Sequence, residues 1–233
     1  AWPKSCYPAA FAAALLNSQP MGFYAPAQIV RDAKEHRVPI REVDALHSAW
    51  DCTLESIDDD RHALRLGMRM VKGMREPEAH AITQAASGRT ITTIEQLWRR
   101  SNVSARALRA LASADAFSSL GLTRQQARWA TQQLHDVDMP LFEQHEEAMK
   151  DDAHIALPPV AAPLQVVQDY PHLGLSLKAH HLSFLRRSLD RLRVLPCHEL
   201  LDETRCPHGL RVRVAGLLLL RPPPATAPRI TLL

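Results

Sequence analysis

The residues best placed to do chemistry lie in LRLGMRMVKGMREPEAHAITQAAS, residues 64–87. An extended run over 64–71 is expected to lead into a tight turn at Lys72, Gly73 and Met74, with a helix starting near Glu76. Pro77 suits the first turn of that helix, and Ala79, Ile82 and Ala86 fall on one face. A glycine turn opening a helix presents unpaired N–H groups at the positive end of the helix, which suits a phosphate oxygen. Lys72 and Arg75 flank the turn, so backbone dipoles and mobile charges can act together. The pattern is that of a helix-hairpin-helix grip on a DNA backbone; the alternative is a glycine that only ends a strand.

Other clusters carry less. Asp58, Asp59 and Asp60 could face a divalent cation, but three acids in a turn are more simply a solvated loop. Cys197, His198, Cys206 and His208 match no standard zinc spacing. His145–Glu146 is followed by Met at 149, which removes an H-E-x-x-H site. There is no G-x-x-x-x-G-K loop, G-x-S-x-G elbow or dinucleotide fingerprint.

The elements that must position the turn can be read from periodicity. Pro8–Asn17 is an alanine-rich buried helix, broken by Pro20 and Gly22, and a second helix covers 26–36. Residues 38–43 form a short strand before the polar stretch 44–51. After the turn, a helix covers 93–100, and Ser104 caps Ala105–Ser113. A second tight connection spans 114–117, and Thr123 caps a helix over 124–134 with Ala127, Ala130 and Leu134 inward. Arg106, Arg109, Arg124 and Arg128 fall on the polar sides of this second unit. Residues 136–163 read as an acidic, Pro-rich linker with one short helix near 143–150, and 164–170 as strand or helix. A basic helix over 182–192 turns Leu182, Leu185, Leu189 and Leu192 inward; 211–220 is a strand, turned by prolines 222–224, with 229–233 returning.

Net charge is only +3, but it is unevenly distributed: −4 over residues 1–60, +8 over 61–133, −7 over 134–169 and +6 over 170–233. Two basic blocks joined by an acidic connector suit nucleic acid, although basic blocks can also be ordinary solvated helix faces. Four dispersed cysteines without C-x-x-C, no signal peptide and no apolar run of ~18 residues point to a reducing cytoplasm. The chain lacks an initial Met and stops within a strand-like pattern, as a piece of a longer protein would.

YPAAFAAALLNSQPMGFYAPAQIVRDAKEH at 7–36, LGMRMVKGM at 66–74, ALRALASADAFSSLGL at 107–122, GLSLKAHHLSFLR at 174–186 and VRVAGLLLLRPPPATA at 212–227 are colinear with one family. The chain resembles the C-family bacterial DNA polymerases, the polymerase III alpha-subunit type; QPMGFY and GLSLKAH match the error-prone, damage-associated branch. The resemblance implies a mainly α fold and a C-terminal fragment. Residues 1–60 would be the distal fingers, 61–133 a tandem helix-hairpin-helix module, 134–169 a linker, 170–210 a basic connector and 211–233 the start of a truncated OB-fold. It implies duplex primer–template DNA gripped by Lys72, Gly73, Met74, Arg75, Arg106, Arg109 and Arg124, and single-stranded template at the OB-fold. The whole polymerase would join nucleotides with Mg2+ held by palm carboxylates, act in translesion synthesis and repair, and engage a sliding clamp or other mutagenesis proteins. No palm constellation is present, so this segment alone is expected to be inactive.

Three departures from the family pattern bear on the grip. Arg75 stands where a second glycine is usual, Asp115 where the second hairpin has glycine, and Pro3 where a helix normally continues. The first hairpin is therefore the favoured DNA contact, since a carboxylate at 115 repels phosphate. DMPLF at 138–142 is a faint match to the clamp pentapeptide Q-L-x-L-F without its Gln, and reads more simply as plain linker. The competing classes are a non-catalytic helix-hairpin-helix/OB DNA-binding scaffold and a helical protein–protein module.

Overall fold

The structure, a computed structural model, describes residues 2–22, 24–58, 61–88, 90–134 and 158–216. It divides into two units, 1–178 and 179–233, which are taken separately.

The first unit opens with α1 (Trp2–Cys6), α2 (Pro8–Asn17) and α3 (Pro26–Glu35). Pro8 and Pro26 each occupy a first helical turn, where a missing N–H costs nothing. Ala9, Ala12, Ala13 and Leu16 of α2 meet Ile29, Val30 and Ala33 of α3 in the core.

A small sheet follows: β1 (Ile40–Arg41), β2 (Thr53–Ser56) and β3 (His62–Arg65), in the order β1-β3-β2. β3 is parallel to β1 (Ile40 opposite Leu64) and antiparallel to β2 (Leu54 opposite Leu64). Glu55 crosses the sheet, taking Arg65 at 2.6 Å and Arg41 at 2.5 Å. The extended run expected over 64–71 is shorter than that. β3 ends at Arg65, and Met68–Met70 is a single 3-10 turn whose Met68 and Val71 side chains are buried. Gly67 makes this bend possible, because a Cβ there would lie 2.3 Å from the Trp50 carbonyl oxygen.

Four helices complete the packed body: α4 (Glu76–Ala86), α5 (Ile94–Ser101), α6 (Ala105–Ser113) and α7 (Arg124–Gln132). Thr93, Ser104 and Thr123 each accept a backbone N–H as N-caps, an interaction worth about 1 kcal/mol apiece. Ile82, Leu97, Leu108, Leu111 and Phe117 form the centre of the core, which is continuous with that of α2, α3 and the sheet. A boundary expected at 60/61 thus falls between two paired strands.

α8 (Ala162–Leu173) decides the 164–170 ambiguity in favour of helix and runs through the expected boundary at 169/170. It ends on Gly174, at φ +73, whose N–H reaches the Tyr170 carbonyl.

The second unit holds α9 (His181–Arg191), β4 (Val194–Leu195), a 3-10 turn at Cys197–Leu201 and β5 (Arg213–Val214), which pairs parallel with β4. The inward leucines expected of this helix are not buried: Leu185 and Leu192 are more than half exposed. The short helix near 143–150, DMPLF, the proline turn and the returning strand lie outside the described residues. No described helix is long and apolar enough to cross a membrane.

Candidate nucleic-acid interface

The turn that carries the strongest sequence signal is built as a strained glycine corner. Gly73 has φ +87, a conformation that disfavours any residue with a Cβ. Arg106 of α6 donates Nη1–H to the Gly73 carbonyl at 2.5 Å and Nη2–H to Glu78 at 2.8 Å. The other Glu78 oxygen accepts the Ser104 hydroxyl at 2.7 Å, so one carboxylate joins the N-terminal turns of α4 and α6. Met74 is buried beneath the corner, and its N–H returns to the Val71 carbonyl at 3.1 Å. The Lys72 N–H is also engaged, donating to the His172 carbonyl in the last turn of α8 at 2.8 Å.

This geometry sorts the seven residues expected to hold DNA. Lys72 and Arg75 are exposed and form no ion pair among the described residues, and the Gly73 and Arg75 amides donate to no described group. No side chain caps α4 at Arg75. Met74, by contrast, supports the turn from below. Arg106 lies beside the turn, but its guanidinium holds the corner in shape. Arg109 caps the end of α7, with Nε–H to the Thr131 carbonyl at 3.2 Å and Nη2–H to that of Leu134 at 3.1 Å.

Arg124 requires correction. It is not on the polar side of α7 but is buried, 6% exposed, with Nη2 on the Asp169 carboxylate of α8 and Nη1–H on the Gln165 carbonyl at 3.2 Å. Asp169 also accepts the Ser176 hydroxyl at 2.5 Å. A buried carboxylate without a cation is too costly to retain, so the charge periodicity that predicted a surface arginine was overridden by a partner 45 residues away.

The second hairpin turn carries a carboxylate in ion pairs. Asp115, at φ +64, faces Lys178 Nζ at 2.7 Å and Arg124 at 3.5 Å. Behind it, Asp44 accepts from the Ser119 amide at 3.2 Å and hydroxyl at 2.9 Å, and the Ala45 amide donates to the Ala116 carbonyl. Burial tends to raise the Asp44 pKa, but hydrogen bonds from His47, the Leu46 amide and Ser119 outweigh it and hold the carboxyl below its ordinary value.

Among the described residues, no group of three or more His, Cys, Asp or Glu side chains could hold a metal ion. Asp58 is paired with Arg61; Asp59 and Asp60 lie outside the described residues. Among the described residues, the carboxylates are not grouped as a two-metal nucleotidyl-transfer site would require.

The pattern of a helix-hairpin-helix motif matches residues 37–127, spanning β1 to the first half of α7. Error-prone DNA polymerase 1 of Agrobacterium fabrum is 44% identical over 239 residues, covering 97% of this chain and 22% of that protein. Error-prone DNA polymerase 2 of the same organism is 45% identical, and error-prone DNA polymerase 2 of Rhizobium meliloti 43%, each over 96% of this chain and 21% of the relative. Over nearly its whole length the chain is similar to a segment of error-prone DNA polymerases. It spans about a fifth of the length of these curated relatives. Error-prone polymerase relatives thus match both units described above, and the helix-hairpin-helix pattern covers the corner at Gly73 within them.

Proposed function

We propose that this chain is the part of an error-prone DNA-directed DNA polymerase that holds the duplex primer–template by its phosphates, without reading sequence. The observation that carries this reading is the corner at 72–75. An exposed Lys72 and Arg75, with no acidic partner among the described residues, flank a left-handed glycine and an uncapped helix start. Such a site binds negative charge by fixed N–H dipoles and by counterion release.

In the whole protein, divalent metal, Mg2+ by family resemblance, would supply nucleotidyl transfer at palm carboxylates; the segment described here has no role in that step and would be inactive alone. Family resemblance also supports action in translesion synthesis and repair in the cytoplasm. It supports an OB-fold beginning near Arg211 for single-stranded template, and contact with a sliding clamp or mutagenesis partners.

The experiment is fluorescence anisotropy of the 233-residue chain on labelled primer–template duplex across a salt series. The grip predicts steep weakening with salt and, for Lys72→Glu/Arg75→Glu, a shallower dependence with at least tenfold loss near 0.1 M salt. Equal, salt-insensitive binding by both proteins would sink it.

A further inference from the structure

The structure separates cations that serve the fold from cations that serve nothing inside it. Arg106, Arg109 and Arg124 are all engaged with carbonyls or carboxylates. Lys72, Arg75 and Arg128 form no ion pair among the described residues, and all three are exposed.

Arg128 is four residues beyond Arg124 on α7, hence on the same face, one turn further along. Arg124 docks that face on α8 at Gln165 and Asp169, and His172 lies one turn beyond Asp169 on α8. His172 is joined through its carbonyl to the Lys72 amide at 2.8 Å, and its ring is half-buried with no hydrogen-bond partner among the described residues. The Gly73 turn, α7 and α8 therefore bring Lys72 and Arg128 within electrostatic reach of the His172 ring. Among the described residues the acid that acts on this ring is Asp169, which is already shared by Arg124, Ser176 and Lys178.

We infer that Arg128 and His172 join Lys72 in a cradle for a second backbone phosphate of the bound duplex, beside the one at the glycine corner. This rests on the proposed duplex grip and extends it to two helices, one of which lies beyond the helix-hairpin-helix match. The state of His172 without DNA agrees with it. Burial, then the Arg124, Arg128 and Lys72 charges, push the imidazole below its ordinary pKa, with Asp169 opposing weakly. A phosphate reverses that balance and favours imidazolium, so binding takes up a proton.

The test adds Arg128→Gln, Arg128→Lys and His172→Gln to the same titrations, with Arg31→Gln, an exposed arginine of α3 beside Glu35, as a charge control and circular dichroism to confirm folding. Arg128→Gln should weaken duplex binding about three- to tenfold near 0.1 M salt and lower the salt slope by about one, with Arg128→Lys largely restoring both. His172→Gln should remove a tightening of binding seen in the wild type as pH falls from 8 to 6. In NMR titrations the His172 ring should titrate higher with duplex than without. Wild-type slope and pH response in both variants, while Lys72→Glu/Arg75→Glu loses binding, would overturn the cradle and leave the corner grip standing. Wild-type binding by every variant would overturn both.

Discussion

Lys178 Nζ lies 2.7 Å from the Asp115 carboxylate, so the turn of the second hairpin is fastened to the chain that leaves α8. The carboxylate that makes this turn a poor phosphate site thereby gains a structural use. Asp115 also adopts φ +64, which a glycine would adopt with less strain. Lys178→Met should lower stability by roughly 0.5–1 kcal/mol, as for partly exposed pairs. Asp115→Gly should lose less, because relief of the left-handed strain offsets the lost pair. Urea midpoints of the two variants check the order; a larger loss for Asp115→Gly contradicts it.

The Arg124–Asp169 pair is of a different kind, since both side chains are almost fully buried. Arg124→Met leaves Asp169 with only Lys178 and Ser176, and should cost about 3–5 kcal/mol. Arg124→Met/Asp169→Leu should cost clearly less than the sum of the single changes, because no buried charge is stranded. A double-mutant cycle by chemical denaturation measures this, and simple additivity would refute it.

Gly67 and Gly73 should respond to alanine for different reasons. At Gly67 φ is an ordinary −80, but a Cβ would collide with backbone at Trp50 and Asp51, so the strand-to-turn bend must open. At Gly73 the nearest atom to a Cβ is Arg106 Nη1 at 3.7 Å, so only backbone strain of about 1 kcal/mol opposes it. Gly67→Ala should therefore shift the thermal midpoint several degrees further down than Gly73→Ala, whereas Gly73→Ala should be the one that weakens duplex binding.

Acid should loosen the contact between residues 44–48 and the second hairpin. Asp44 has a folded pKa below its ordinary 3.8, so its stabilising contribution is complete above that value and is lost as pH falls through the folded one. Glu42 has the opposite sign. Burial raises its pKa above 4.5, so ionisation at neutral pH opposes folding. Asp44→Asn should flatten the stability curve below about pH 4, and Glu42→Gln should raise stability at pH 7. Urea melts from pH 2.5 to 7 distinguish them.

Helices with strong local signals were legible. Capping residues Ser104 and Thr123, prolines at first turns and the glycine corner all act within a few residues, and α2, α4 and α6 follow the sequence reading. The polar stretch 44–51 gave no hint that Asp44 would cap a turn 75 residues away, and the pattern over 164–170 left strand and helix open where α8 lies. The same limit governs the charged residues. Sequence places Arg106, Arg124 and Arg128 alike on polar helix faces, because spacing reports the face and not the partner. Glu78 and Asp169 decide which arginines are internal, and both pairings are long-range.

The hydrogen bond from the Lys72 amide to the His172 carbonyl closes a loop of about a hundred residues. The glycine corner is local, but its last brace is a long-range contact, so the turn reaches its final form only once α8 has packed against it.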